Sequence, residues 1–182
     1  MTENLGVEIA ELVEQNLRLV PNFPLEGVLF RDVTPLFASG PAFQELINLL
    51  ADRYRGKIDM VAGLESRGFI LAAPLATALG VGMVAVRKAG KLPGPVVGID
   101  YDLEYGSARL EVQPESVPDG ARILILDDVL ATGGTAKASV DLLEMCGAHV
   151  VEIAVLLELV DLNGQVKIAG TPFASAVEVH ES

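Results

Sequence analysis

The residues with the clearest chemical potential lie together, between an apolar segment and a predicted helix. Asp127 and Asp128 follow the apolar run 123–126, and the loop Ala131-Thr-Gly-Gly-Thr135 comes shortly after them. Glycines and hydroxyls at a helix start let backbone N–H groups approach a phosphate closely. Two adjacent carboxylates would repel that phosphate unless sugar hydroxyls or a divalent cation lay between. The pattern predicts a ribose 5-phosphate site, with the ribose hydroxyls on the acidic pair and the phosphate on Ala131, Thr132, Gly133, Gly134 and Thr135.

Two other kinds of phosphate loop are excluded by the residues around this turn. A P-loop requires Gly-x-x-x-x-Gly-Lys-Ser/Thr, but no lysine follows Gly134. A dinucleotide-binding loop requires Gly-x-Gly-x-x-Gly, which this segment also lacks. The order of buried strand, two acids, glycine turn and helix resembles the phosphoribosyl pyrophosphate signature of the type I phosphoribosyltransferases.

A second candidate anion site follows an earlier predicted strand, which ends at Leu64. Glu65, Ser66 and Arg67 come next, and Gly68 begins a predicted helix. A small residue, a cation and a glycine before a helix suit an anion. The family resemblance implies that this turn binds pyrophosphate.

Three cations are gathered after the following strand. Arg87, Lys88 and Lys91 lie in a loop with two glycines and two prolines. In an acidic protein, positive charge beside a predicted site indicates a mobile flap that brings cations to pyrophosphate and excludes water. The alternative is a solvated basic turn.

The flap continues into the segment Leu-Glu104-Tyr105-Gly, which resembles the flexible-loop motif of the adenine phosphoribosyltransferases. The resemblance implies that Glu104 transfers a proton at the purine and that Tyr105 makes contacts over the site. It also implies that Arg67 and Lys88 serve catalysis as the cations that stabilise the leaving group.

An early segment, 23–32, resembles the adenine-binding hood of the same family. Leu29, Phe30 and Arg31 match the family pattern, in which backbone groups beside the arginine bind the purine edge and an apolar side chain covers its face. Leu159 matches the residue on the opposite face. For Phe30 and Leu159, core packing is the alternative.

The elements that must position these residues alternate along the chain. Apolar spacing predicts helices over 5–18, from 39, over 68–79 and from 135, and strands over 58–64, 82–87, 100–104, 108–112, 123–126 and 149–158. Such alternation predicts an α/β fold, a doubly wound and mostly parallel sheet with flanking helices and ligands at the carboxyl ends of its strands. We expect one domain over 1–182, with a small hood at about 20–36 and a flexible β-hairpin flap at about 87–112.

Composition limits the classes of partner. The formal net charge is -12, which argues against nucleic acid or an anionic membrane as a partner. Neither a membrane-spanning apolar run nor a basic signal start is present, so the expected location is cytoplasmic. A single cysteine excludes an internal disulfide.

Taken together, the resemblances imply transfer of phosphoribose from phosphoribosyl pyrophosphate to adenine, giving AMP and pyrophosphate. Mg²⁺ would be held mainly by the substrate, with no direct protein ligand, and a homodimer is expected. Two alternatives remain at this point. One is the same chemistry on hypoxanthine, guanine or xanthine, and the other is a non-catalytic sensor of phosphoribosyl pyrophosphate, which would require a nucleic-acid surface that this charge does not favour.

Overall fold

The computed structural model describes residues 3–102 and 106–180. Ten strands are present in this part of the chain: β1 Glu3–Asn4, β2 Arg18–Pro21, β3 Leu29–Asp32, β4 Met60–Leu64, β5 Gly82–Lys88, β6 Val97–Asp102, β7 Ser107–Val112, β8 Arg122–Leu130, β9 His149–Leu159 and β10 Phe173–Val179. The helices are α1 Val7–Gln15, α2 Thr34–Ala38, α3 Gly40–Tyr54, α4 Arg67–Leu79, α5 Gly134–Met145 and α6 Gly164–Lys167. Short 3₁₀ turns occupy Pro114–Ser116 and Val160–Leu162.

Eight of the strands form one sheet in the order β1-β10-β9-β8-β4-β5-β7-β6. Strands β1, β10, β9, β8, β4 and β5 are parallel to one another, whereas β7 runs antiparallel to both β5 and β6. The predicted fold class, an α/β fold with a mostly parallel sheet and flanking helices, is confirmed. Its antiparallel edge is the β6–β7 hairpin of the predicted flap.

The core has two layers, one on each side of the sheet, and the apolar run of β8 contributes to both. Leu124 and Leu126 pack with residues of α1, α3 and α4, whereas Ile123 and Ile125 pack with residues of α5. All four are fully buried. Strand side chains alternate between faces, so a four-residue apolar run is what a strand covered on both faces requires.

The first helix is shorter than its sequence pattern predicts. It ends at Gln15, and Arg18 starts β2, which pairs antiparallel with β3. Arg18 therefore does not complement the helix dipole. Its Nη2 and Nε atoms donate to Oδ2 of Asp32 on the opposite strand, at 2.5 and 3.1 Å. The ion pair closes a separate two-stranded sheet, β2–β3, which contains the residues of the predicted hood.

Other boundaries also differ from prediction. Strand β8 continues to Leu130, so Asp127 and Asp128 lie within it, and α5 begins at Gly134. The sequence predicts no element after 158, but β10 lies there and pairs with β9 and with β1. Among the described residues, no helix is both long and apolar enough to cross a membrane.

Candidate functional site

A cleft of about 490 Å³ opens where the carboxyl ends of β4 and β8 meet the starts of α4 and α5. It is lined by eleven of the residues predicted from sequence: Glu65, Ser66, Arg67, Lys88, Asp127, Asp128, Ala131, Thr132, Gly133, Gly134 and Thr135. The structure thus brings together three segments that are far apart in the chain. This edge is where ligands bind in open parallel sheets.

The acidic pair lies at the centre of the cleft, where Asp128 is buried and Asp127 is half-buried. Burial, together with the neighbouring carboxylate of Asp128, raises the pKa of Asp127 to about 8. Burial also raises the pKa of Asp128, although the Arg67 guanidinium opposes that shift. Two close carboxyl groups of this kind titrate as a unit, so Asp127 keeps its proton to a higher pH than an isolated aspartate does.

Arg67 connects the acidic pair to its surroundings. Its Nε atom lies 2.8 Å from Oδ2 of Asp128, and its guanidinium carbon lies 5.8 Å from the centre of the Phe30 ring. One cation therefore contacts both the acidic pair and the hood. Arg67 can do so because it is the first residue of α4, directly after the turn that follows β4.

Close backbone packing holds α4 against β8 at this point. A Cβ atom on Gly68 would lie 2.6 Å from the carbonyl oxygen of Leu126 and 3.0 Å from Oδ1 of Asp127. Only glycine leaves room for this approach. The glycine thus sets the spacing between Arg67 and the two acids.

The glycine turn before α5 has the conformation that a phosphate loop needs. Gly133 has a φ of +78° and precedes the helix, which begins at Gly134. The N–H groups of the first helical turn lack partners within the helix and carry the positive end of its dipole. Thr132 and Thr135 add hydroxyl groups on the same cleft. This end of the cleft is suited to a phosphomonoester.

Glu65 occupies the other end of the cleft, but its carboxylate is bonded to cations of β5. It accepts from Arg87 Nη2 and Nε, at 3.2 and 3.3 Å, and from the backbone N–H of Lys88 at 2.9 Å. The Arg87 hydrogen bonds lower the pKa of Glu65. Glu65 therefore joins the predicted pyrophosphate turn to the start of the flap. The peptide bond between Glu65 and Ser66 is cis.

The three flap cations have different surroundings. Lys88 lines the cleft, and Lys91 is exposed outside it. Arg87 is bonded to Glu65 and also donates to the carbonyl oxygen of Lys91 at 3.0 Å. The loop is held on its other side by Glu111, whose Oε2 accepts from the Gly90 N–H at 2.9 Å.

The hood residues lie at the edge of the cleft rather than in its lining. Phe30 is half-buried, with its ring 5.2 Å from that of Phe23, and Leu29 is exposed. Arg31 is half-buried, and its Nη1 donates to the carbonyl oxygen of Leu29 at 3.4 Å. Leu159 packs partly against the core. Of this group, Phe30 is the residue in contact with a cleft side chain, through Arg67.

Two predicted residues, Glu104 and Tyr105, lie outside the described residues. Tyr101, which lies within the predicted flap, lines the cleft. Its hydroxyl accepts a hydrogen bond from Oγ1 of Thr135 at 3.3 Å, joining β6 to the glycine turn. The sequence feature that could have identified Tyr101 as a site residue is its place in the flap, four residues before Tyr105.

Most of this chain matches the model of a single protein family. The model of the phosphoribosyl transferase domain matches residues 33–167. An adenine phosphoribosyltransferase from Roseiflexus sp. (strain RS-1) is 48% identical over 179 residues, covering 98% of this chain and 99% of the relative.

Solved structures give the same result. The chain is similar to adenine phosphoribosyltransferase from Thermoanaerobacter pseudethanolicus, with a TM-score of 0.88 and 43% identity over 93% of this chain and 99% of the other. It is also similar to the enzyme from Saccharomyces cerevisiae, solved with adenine and D-2,5-dideoxy-2,5-imino-altritol 1,6-bisphosphate. There the TM-score is 0.87 and the identity 42%, over 93% of this chain and 99% of the other.

Proposed function

This chain belongs to the adenine phosphoribosyltransferases, and we propose that its cleft binds adenine and phosphoribosyl pyrophosphate and releases AMP and pyrophosphate, with Mg²⁺. The reaction is a pentosyl transfer of purine salvage. One observation carries the assignment of the site: the acidic pair of β8 and the glycine turn before α5 line the same cleft.

The ribose 5-phosphate would lie between Asp127 and the start of α5. A protonated carboxyl group can donate to a hydroxyl and a carboxylate can accept from one, so a pair in which the pKa of Asp127 is raised to about 8 suits the two ribose hydroxyls. The phosphate would bind the N–H groups and hydroxyls of Ala131, Thr132, Gly133, Gly134 and Thr135.

Pyrophosphate would bind between the turn after β4 and the start of the flap. Ser66, Arg67 and Lys88 line this part of the cleft. Arg87 would act mainly through its ion pair with Glu65, which keeps the flap strand beside the turn. Lys91 would reach pyrophosphate when the flap closes.

Adenine would bind beneath the hood, near Phe30 and Arg67. Backbone groups of Leu29 to Arg31 would bind its edge, and Leu159 and Tyr105 would cover it. The Phe30 ring lies beside Arg67, and Arg67 is paired with Asp128, one of the two carboxylates that would bind the ribose hydroxyls. This arrangement supports adenine binding beneath the hood.

Among the described residues, no group of three or more His, Cys, Asp or Glu side chains could hold a metal ion. The oxygen-rich cleft nevertheless suits Mg²⁺, which commonly keeps several waters and binds through substrate phosphates. Bound there, it would neutralise charge on pyrophosphate. Asp127 and Asp128 are the carboxylates that could contact its waters.

Catalysis would come from positioning and from charge stabilisation. Breaking the bond between C1 and the pyrophosphate oxygen gives an oxocarbenium-like sugar and a negatively charged leaving group. Arg67 and Lys88 would stabilise that group, while the hood aligns N9 of adenine behind C1. Glu104 would transfer a proton at the purine as N9 attacks C1.

Pyrophosphate release in the presence of Mg²⁺ tests the proposal. We expect release with adenine and phosphoribosyl pyrophosphate, formation of AMP, and much weaker turnover with hypoxanthine, guanine or xanthine. Omission of Mg²⁺, or its removal with a chelator, should abolish turnover. Equal rates with 6-oxopurines would reject the adenine assignment, and tight binding of phosphoribosyl pyrophosphate without nucleotide formation would favour the sensor.

The homodimer also remains a proposal. It is supported by exposed apolar side chains in and beside the hood, including Leu19, Phe23 and Leu25, at 58%, 50% and 70% exposure. Analytical ultracentrifugation would test it, since a dimer has twice the 19.2 kDa mass of the chain. The cytoplasmic location is likewise a proposal, for which fractionation is the test.

A further inference from the structure

The segment 163–167, which follows β9, packs directly against the backbone of the glycine turn. Gly164, the first residue of α6, is buried. A Cβ atom at this position would overlap the carbonyl oxygen of Ala131 and lie 3.1 Å from both the Gly133 nitrogen and Cγ of Leu130. The contact is reciprocal, because a Cβ on Gly133 would overlap the carbonyl oxygen of Gly164. Two backbones therefore touch where a side chain on either would separate them.

The position of this segment is fixed by bonds on its far side. Gln165 Nε2 donates to Oε1 of Glu158, whose side chain is only 2% exposed at the end of β9. Asn163, with a φ of +53°, reverses the chain before α6, and its Nδ2 donates to the Asp161 carbonyl oxygen at 3.0 Å. The turn is thus attached to the sheet and cannot easily move away from the loop that it supports.

The same turn brings a cation to the start of α5. Nζ of Lys167 lies 4.0 Å from the position of a Cβ on Gly134. No ion pair of Lys167 occurs among the described residues. Lys167 lines a smaller cavity beside the cleft, together with Asp102 and Asp141, and Gly134 is shared by the two cavities. The charge of Lys167 therefore acts on the start of α5 across the backbone and not by contact with the cleft.

We propose that the turn 163–167 positions the phosphate loop, with Gly164 as its positioning residue and Lys167 as a nearby cation that acts on the 5-phosphate at a distance. The proposal rests on the proposed function, in that the glycine turn must bind ribose 5-phosphate. Neither residue is a catalytic residue, since Gly164 acts through Ala131 and Gly133, and Lys167 acts on the far end of the substrate from C1.

The first test is Gly164→Ala, with binding of ribose 5-phosphate and of Mg²⁺–pyrophosphate measured by calorimetry. We expect at least tenfold weaker binding of ribose 5-phosphate, less than twofold change for pyrophosphate, and a rise in KM for phosphoribosyl pyrophosphate that exceeds the fall in kcat. Gly40→Ala is the matched control. It is also the first residue of a helix, but a Cβ there meets nothing within 4 Å.

A second variant keeps the proposal testable if Gly164→Ala does not fold. Lys167→Met changes an exposed side chain and should weaken ribose 5-phosphate binding two- to fivefold, less at 0.5 M NaCl. Lys57→Met, also exposed and located before the amino end of β4, away from the cleft, should have no effect. If Gly164→Ala is unfolded or weakens both ligands equally, the Lys167→Met result decides.

The outcomes separate this proposal from the assignment of the site. Wild-type protein that does not bind ribose 5-phosphate would overturn the site itself. Wild-type binding together with a folded Gly164→Ala variant of unchanged affinity would overturn the role of the turn alone. If Gly164→Ala is unfolded or weakens both ligands equally, unchanged affinity of Lys167→Met for ribose 5-phosphate would likewise overturn the role of the turn.

Discussion

Asp127 is half-buried, its carboxyl group lies beside a second carboxylate, and this environment favours the protonated form. Burial raises its pKa to about 8, against 3.8 for an ordinary aspartate. A raised pKa in the folded state contributes stability that is complete below pH 3.8 and is lost as the pH rises through 8. The ribose hydroxyls of the proposed substrate would offset this cost when they bind. The site is therefore least stable, when empty, at the alkaline end of the physiological range.

Asp127→Asn should consequently stabilise the protein while reducing its activity. The amide keeps the shape but removes the titration, so the gain in free energy of unfolding should be small at pH 5 and grow up to pH 8. Urea denaturation at pH 5, 6.5 and 8 measures it. Asp52→Asn is the control, because that exposed carboxylate forms only a surface pair with Arg55 at 3.6 Å and should contribute less than ~1 kcal/mol. A gain that shrinks as the pH rises would contradict the burial argument.

Glu104 tests a role that depends on family resemblance. If Glu104 transfers the purine proton, Glu104→Ala should lower kcat about 10²- to 10⁴-fold, the usual range for general acid–base catalysis, while leaving binding of phosphoribosyl pyrophosphate close to wild type. Asp128→Ala should impair that binding as well, because it removes the partner of Arg67. Steady-state kinetics and calorimetry separate the two effects. Turnover near wild type in Glu104→Ala would remove Glu104 from the mechanism.

At the scale of elements, Glu65 connects the turn after β4 to the strand that begins the flap. Its carboxylate bonds both the Arg87 side chain and the Lys88 backbone. Since a hydrogen bond to a charged group contributes ~1.5 kcal/mol, Glu65→Gln should raise KM for phosphoribosyl pyrophosphate about tenfold, with little change in KM for adenine. Glu8→Gln, on the exposed face of α1, is the control. Equal changes in both KM values would show that Glu65 shapes the whole cleft instead.

The elements that sequence could predict are those whose signal is local. The apolar run of β8, the glycine turn before α5 and the extent of α4 each depend on neighbours in the chain, and the structure contains all three. The β2–β3 hairpin was not predicted, because its closure depends on the pairing of Arg18 with Asp32, fourteen residues apart. Strand β10 was missed as well, since its position is set by pairing with β9 and β1.

The candidate site shows the same division between local and long-range information. Motifs identified the glycine turn, the acidic pair and the Ser66–Arg67 turn, because phosphate chemistry requires those residue types in sequence. The support from Gly164 had no motif, since a glycine that allows two backbones to touch is recognised only once both are in place. Likewise, the attachment of Arg87 to Glu65 rather than to the open cleft follows from the pairing of β4 with β5.

At the scale of the whole molecule, charge acts in two opposing ways. The chain carries 25 acidic and 13 basic residues, so repulsion within the folded protein is substantial. The cleft, in contrast, places Arg67 and Lys88 where the substrate phosphates would bind. Salt screens both interactions, because the Debye length falls from about 30 Å at 0.01 M to about 8 Å at 0.15 M. Stability and substrate affinity should therefore respond to salt with opposite signs.

Raising NaCl from 0.02 to 0.3 M should increase the Tm by a few degrees, because screening weakens repulsion more in the compact state than in the unfolded chain. Over the same range, KM for phosphoribosyl pyrophosphate should rise several-fold, while KM for adenine, a neutral ligand, should change little. Thermal denaturation and steady-state kinetics in one buffer series measure both. A Tm that falls with salt would mean that the ion pairs, such as Arg67 with Asp128 and Arg87 with Glu65, outweigh the net repulsion. A salt-independent KM for phosphoribosyl pyrophosphate would mean that the cleft cations contribute little to its binding.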